Sequence, residues 1–209
     1  MNIKVINQGK DISRVIINDP KTYNSLSTRN LIDLIKVFKK LNNNKNVKVI
    51  ILEGAGKGFS SGHNLKEVRG LKKKEKYQKL FNLCSKLMLQ IVEGRKPVIA
   101  KVHGAAYAAG CQLVASCDLA YASKSAKFAT PGVNIGLFCS TPMVALSRSV
   151  SKKHAMDMLL NGELISSYKA AEIGLINEVV EDKTLKKHTL EKAIKITKKS
   201  SMTLKIGKE

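Results

Sequence analysis

The chain has no tryptophan, and phenylalanine and tyrosine contribute only five residues each among 209. Single-stranded nucleic acids stack on aromatic faces, so the usual platform for that partner is missing. Acidic residues are also scarce, with 16 Asp and Glu against 37 Lys and Arg and a net charge of +21. Only 5 of the basic residues are Arg, the residue whose planar fork suits bidentate base contacts. The lysines are dispersed as Lys72-Lys73-Lys74 and as pairs at 39–40, 152–153, 186–187 and 198–199. This reads as a solvated surface that also attracts small polyanions, and specific nucleic-acid binding is not expected.

No apolar run approaches the ~20 residues of a membrane-spanning helix. The N-terminus, Met1-Asn2-Ile3-Lys4-Val5-Ile6, reads directly as a strand and lacks the features of a targeting segment. A cytoplasmic location is expected, or the mitochondrial matrix if a targeting sequence has been removed. The four cysteines, Cys84, Cys111, Cys117 and Cys139, form no CxxC pair, and the four histidines form no HxxxH pair. Free, buried thiols and no metal site follow.

Short Val- and Ile-rich segments at 3–7, 14–18, 47–53, 98–102, 119–122 and 179–181 read as strands. Helical patterns alternate with them. One runs from a cap at Ser27 or Thr28 to about Leu41, with Leu31, Leu34, Ile35 and Phe38 on one face. Others cover 77–92, 108–116, 141–149, 152–161, 167–173 and 184–199. The segment 108–116 is almost uncharged, which predicts a helix buried all round. Gly162 and Gly174 stand at helix C-terminal cap positions. Residues 71–76, with four lysines in six, read as the most flexible segment. The alternation predicts one α/β domain over residues 1–209, a stack of ββα turns.

Two loops carry the chemical signal. Phe59-Ser60-Ser61-Gly62-His63-Asn64-Leu65 and Gly104-Ala105-Ala106-Tyr107-Ala108-Ala109-Gly110-Cys111 each follow a short strand and lead into a helix. Helix starts leave N–H groups unpaired and carry the positive end of the dipole. Two such N–H groups aimed at one point hold a negative oxygen, the logic of an oxyanion hole. His63 and Ala109 are the candidate donors, flanked by Ser61, Gly62, Asn64 and Gly110. The imidazole of His63 is a candidate for titration near the site. A third loop, from Phe128 to Pro142, brings Gly132, Cys139 and Ser140 toward a helix entered at Thr141, with Ser140 or Thr141 as its cap. Cys139 lacks an adjacent base that would make it a nucleophile.

These residues carry a family resemblance. Ile50-Ile51-Leu52-Glu53-Gly54, Phe59-Ser60-Ser61-Gly62-His63, Lys96-Pro97-Val98-Ile99-Ala100, Gly110-Cys111-Gln112-Leu113 and Cys117-Asp118-Leu119-Ala120 resemble the enoyl-CoA hydratase/isomerase (crotonase) superfamily. Asn18-Asp19-Pro20-Lys21 with Asn24-Ser25-Leu26-Ser27 resembles its N-terminal signature, and the run from Phe128 to Pro142 resembles one of its subgroups. The resemblance implies a spiral of ββα turns that binds acyl-CoA thioesters and assembles as trimers or hexamers. It needs no cofactor beyond the coenzyme A of the substrate. It places His63 and Ala109 at the oxyanion-donor positions, Lys66 at a basic contact to the CoA nucleotide, and Lys21 in a segment flanking the CoA. It also implies that the family's last C-terminal helices are missing and that the trimer is incomplete.

The departures from the family pattern concern acids. Of the two catalytic glutamates implied by the resemblance, one falls on Gln112 and the other on Gly132. An alternative acidic position falls on Ser140. Three readings therefore stand at this point. One is an enzyme that polarises a thioester, with weak or absent classical hydration. Another is a non-catalytic CoA-ester-binding protein. The last is an RNA-binding relative, motivated by the charge.

Overall fold

Valine and isoleucine at successive positions of a strand suit a parallel sheet buried on both faces. Residues 49–54 have that composition, and each is buried. The computed structural model describes residues 2–208. Its strands are β1 (Ile3–Gln8), β2 (Ile12–Ile17), β3 (Val49–Gly54), β4 (Val98–Val102), β5 (Ala105–Tyr107), β6 (Leu119–Ser123), β7 (Lys127–Ala129), β8 (Ile165–Ser166) and β9 (Glu178–Val180). Its helices are α1 (Thr28–Asn43), α2 (Leu65–Gly70), α3 (Lys74–Val92), α4 (Ala109–Ser116), α5 (Ser140–Ser149), α6 (Lys152–Asn161), α7 (Ser167–Glu172), α8 (Leu185–Thr197) and α9 (Ser201–Lys208). Single 3-10 turns form at Pro20–Thr22 and Pro131–Ile135.

The large sheet runs β1-β2-β3-β4-β6-β9, and only the β1–β2 pair is antiparallel. Strand alternation sends Ile50, Leu52, Val98 and Ala100 into the main core, with Leu34 and Phe38 of α1, Leu87 and Ile91 of α3, and Leu113 of α4. The opposite set, Val49, Ile51, Ile99 and Tyr121, packs under Leu185 and Ala193 of α8. Each fully buried aliphatic side chain contributes about 1.5–3 kcal/mol by leaving water. The sheet therefore anchors two layers, and the loops leaving β3 and β4 inherit its rigidity.

The caps follow local chemistry. Ser27 accepts from the N–H of Asn30 and starts α1. Gly162 ends α6 at φ +63, in the left-handed region. Helix α4 is buried at seven of its eight positions, as its uncharged sequence implies. The second sheet, β5-β7-β8, has no counterpart in the sequence reading. Its strands are two or three residues long, too short to show a period of two.

Residues 71–76 lead into α3. Lys74 to Lys76 form the first turn of α3, and Leu71 packs against the main core. Lys72 precedes the helix and Lys73 is its cap position, all four lysines are exposed, and the buried face of α3 begins at Leu80.

Candidate functional site: two loops meeting over a helix start

Loop 55–64 is organised by Asn24. Its amide donates to the carbonyls of Ala55 and Gly58, both at 2.7 Å, and its Oδ1 accepts from the N–H of Asp19 at 2.9 Å. Asn24 sits at φ +56, a conformation that Asn adopts more readily than most residues. An Asn within a turn is the only sequence signal of that role. Ser60 donates its hydroxyl to the Asn24 carbonyl at 2.9 Å. Ser61 donates from its N–H to the Tyr23 carbonyl and from its hydroxyl to that of Thr22. The turn bearing Lys21 is thereby tied to the loop bearing Gly62 and His63.

The second loop closes onto the first. Phe59 and Ser60 donate to the Ala105 carbonyl, and Tyr107 donates to the Ser60 carbonyl at 2.9 Å. Gly62, at φ +84, approaches so closely that a Cβ there would lie 3.0 Å from the Ala109 nitrogen. A Cβ on Gly110 would strike the Ser60 carbonyl. The glycines at 62 and 110 let the two backbones touch. Between them Ala108 adopts φ +48 and ψ −118, costly for a residue with a side chain. That conformation sets the direction of the Ala109 N–H. Among the described residues, the N–H groups of His63 and Ala109 donate to no atom of the chain.

His63 does not open the helix. Asn64 is the cap of α2, and its Oδ1 accepts from the N–H groups of Lys66 and Glu67. The ring of His63 is turned against Phe81, with centroids 5.3 Å apart. Its Nδ1 lies 3.3 Å from the Leu26 carbonyl, and its Nε2 is buried without a partner. Burial holds the His63 pKa below 6.5, against smaller opposing effects of the Leu26 carbonyl and the Glu67 carboxylate. The unfolded chain therefore takes up this proton at higher pH than the folded one. The stability contributed by neutral His63 is complete above about pH 6.5 and is lost as pH falls below it. Urea midpoints are expected to drop from pH 7.5 to 5.0, with a smaller drop in His63→Gln. Equal drops would remove His63 as the source.

One turn along α4, Gln112 is 4% exposed, and its Oε1 lies 3.7 Å from the Cys84 thiol. Gln112 lines a groove of about 660 Å³ with Ser140 and Thr141. Met88, Ala115 and Val144 form apolar walls, and Lys208 sits at the rim. Lys208 donates to the Ile91 and Lys96 carbonyls and pairs with Asp118, which pins α9 beside the groove.

Ser140 and Thr141 are not caps. Cys139 holds the cap position of α5, with no side-chain hydrogen bond to the helix. Burial raises the pKa of the Cys139 thiol, against a weaker effect of the Gly132 N–H. Cys84 and Cys111 are pushed up to about 12 by burial. All four cysteines are free, and none has the electropositive setting of an activated thiol. Gly132 is folded into its own turn, where a Cβ would strike the Leu137 carbonyl and lie 2.8 Å from Cys139 Sγ.

Hydrogen bonds and close backbone approach bring Ser61, Gly62, His63, Ala109 and Gly110 to one junction, with Asn64 capping α2, Lys66 exposed on its first turn and Lys21 exposed on the turn tied to Ser61. Gln112 and Ser140 share a groove, and Gly132 and Cys139 lie in the turn that leads into α5. The polar atoms of Ser61 and Asn64 serve the loops themselves. Among the described residues, no group of three His, Cys, Asp or Glu side chains is placed to hold a metal. No helix there is long and apolar enough to cross a membrane.

Comparison with known proteins meets this geometry. The pattern of the enoyl-CoA hydratase/isomerase family matches residues 7–209. The mitochondrial enoyl-CoA hydratase domain-containing protein 3 of Xenopus laevis is 46% identical over 206 residues, 99% of this chain and 70% of that protein. That protein type is the subgroup which the run from Phe128 to Pro142 resembles. The crystal structure of its human counterpart superposes with a TM-score of 0.95 at 43% identity, covering 100% of this chain and 82% of the other. An enoyl-CoA hydratase of Mycobacterium smegmatis superposes with a TM-score of 0.97 at 42% identity, covering 100% and 81%.

Proposed function

Because the chain belongs to the enoyl-CoA hydratase/isomerase family, we propose that it binds acyl-CoA thioesters and polarises their carbonyl between the N–H groups of His63 and Ala109. The convergence of the two loops carries this reading. Two unspent backbone donors stand at one junction, one of them aimed by the Ala108 backbone. Removing one such donor typically costs ~10² to 10³ in rate. The acyl chain would lie in the groove beside Gln112, and Lys21 and Lys66, both exposed, would face the phosphates of the nucleotide. A trimer or hexamer belongs to the same proposal, as does a matrix or cytoplasmic location.

A specific observation favours a second, non-catalytic reading. Gln112, Gly132 and Ser140 carry no acid, and nearby carboxylates are already engaged. Glu67 accepts from the N–H of Thr28 at 3.0 Å, and Asp118 serves Val98 and Lys208. Titrating the protein with a panel of acyl-CoAs, and following binding by calorimetry and turnover by mass spectrometry, separates the two. Binding with turnover supports the enzyme, binding alone supports the carrier, and no binding rejects both.

Lys66→Glu tests the nucleotide end. A charge-assisted phosphate contact contributes about 1.5–3 kcal/mol, so CoA affinity should fall about 10- to 100-fold by calorimetry. Unchanged affinity would take Lys66 out of the site.

A further inference from the structure

A cleft of about 660 Å³ opens at the carboxyl ends of β3, β4 and β6, against the start of α8. It lies on the α8 side of the large sheet, whereas α4 and its groove lie on the other side. Its walls include Lys57, Lys101, His103, Ser125, Asp182 and Lys186. Crevices at the carboxyl ends of parallel strands are the common ligand sites of open α/β sheets, and the volume suits a small molecule.

The charge beneath this cleft is unbalanced. Glu53, 2% exposed, accepts from Arg14 Nε at 2.8 Å and also pairs with Lys101. The two cations are 15% and 16% exposed and share one carboxylate. Charge withdrawn from water is stable only when compensated, and here one positive charge has no partner within the triad. Lys57 and Lys186 add to it at the mouth. With Lys57, Lys101 and Lys186 against Asp182, the walls carry two more positive than negative charges. The excess differs from the dispersed surface lysines because part of it is half-buried and held in place by strand register, Glu53 opposite Lys101.

Asp182 sets the other half of the specificity. Ser125 donates to it from both its hydroxyl and its N–H, which with neighbouring backbone N–H groups keeps its pKa below the ordinary carboxylate value despite desolvation. It stays ionised at neutral pH, and an ionised carboxylate only accepts hydrogen bonds. The lysines therefore favour an anion, and Asp182, just before the helix turn that carries Lys186, favours a hydroxyl donor beside it.

We propose that this cleft binds a small phosphate monoester carrying hydroxyl groups, with the phosphate at Lys57, Lys101 and Lys186 and a hydroxyl at Asp182. Gly56, Lys57 and Gly104 come from the same two loops that meet at His63 and Ala109, but the cleft opens on the α8 side of the sheet, away from the groove beside Gln112.

Ribose 5-phosphate, inorganic phosphate and ribose are the probes, titrated by calorimetry into the full chain at constant ionic strength. Saturable binding is expected of ribose 5-phosphate and, more weakly, of phosphate, with no binding of ribose. Lys186→Glu and Lys57→Glu, both at exposed positions, should each weaken ribose 5-phosphate at least 10-fold. Lys39→Glu on α1 makes the same charge change elsewhere and should alter affinity less than 2-fold. Asp182→Asn should bring ribose 5-phosphate and inorganic phosphate to equal affinity. No saturable binding, or equal losses in Lys39→Glu and Lys186→Glu, would overturn the site.

Discussion

The purified protein should hydrate crotonyl-CoA at least about 10²-fold more slowly than a hydratase with two catalytic glutamates, and about 10⁴-fold more slowly if the two losses add. Hydration needs one proton transfer to activate water and another to the α-carbon, and a positioned acid or base contributes ~10² to 10⁴ to each. Gln112 preserves shape and hydrogen bonding but exchanges no proton at neutral pH. Gly132 cannot simply be restored to Glu, because its Cβ would strike the Leu137 carbonyl. Ser140 is the better position. It lines the groove with Gln112 and begins α5, where the helix dipole favours a carboxylate. The pair Gln112→Glu with Ser140→Asp should raise hydration at least 10-fold, whereas Gly132→Glu should lower stability without raising it. The glutamate introduced at position 112 would be nearly buried and would titrate above an ordinary carboxyl, as an acid must. Stopped-flow absorbance at the enoyl band reads all of these. Fast hydration by the unmodified chain would sink this account and turn attention to His63, whose sealed Nε2 would then have to open.

The legibility of this fold follows from the length of its patterns. Strands β3 and β4 are continuous Val- and Ile-rich runs and helix α1 holds one helical period over 16 residues, so the sequence announces them. The second sheet rests on strands of two or three residues, fixed by contacts such as Ala106 opposite Phe128, and no local pattern encodes it. The two loops bearing His63 and Ala109 were legible through their small residues, but the way they meet was not. It depends on Asn24, Ser60 and the strained Ala108, whose roles arise chiefly from partners 21 to 47 residues away. The cap of α5 was misplaced by one residue for the same reason. Ser140 is a good cap by type, but the turn around Gly132 delivers Cys139 to that position. The charged triad was invisible in a similar way. Glu53 reads as the polar end of an apolar strand, and only strand pairing shows it between Arg14 and Lys101.

That triad yields the largest stability effect. Glu53→Ala should destabilise the protein by about 3–5 kcal/mol, because breaking a buried ion pair strands charge away from water. Here it strands two cations close to one another. Against a typical total of about 5–15 kcal/mol, that is a large fraction, and the melting temperature should fall by roughly 10 °C. Glu53→Gln keeps the volume and some hydrogen bonds and should cost less. Replacing the whole set, Arg14→Met with Glu53→Leu and Lys101→Met, removes the charges together and should recover most of the loss. Urea unfolding measures each variant. The same series bears on the cleft behind the sheet, since Glu53→Ala leaves the pocket more positive. Ribose 5-phosphate should then stabilise Glu53→Ala more than the parent, as binding to the folded state alone requires. It should have no such effect on the triple variant. A Glu53→Ala protein within about 1 kcal/mol of the parent would mean that Arg14 and Lys101 reach water on their own, and that the triad holds no excess charge for an anion to meet.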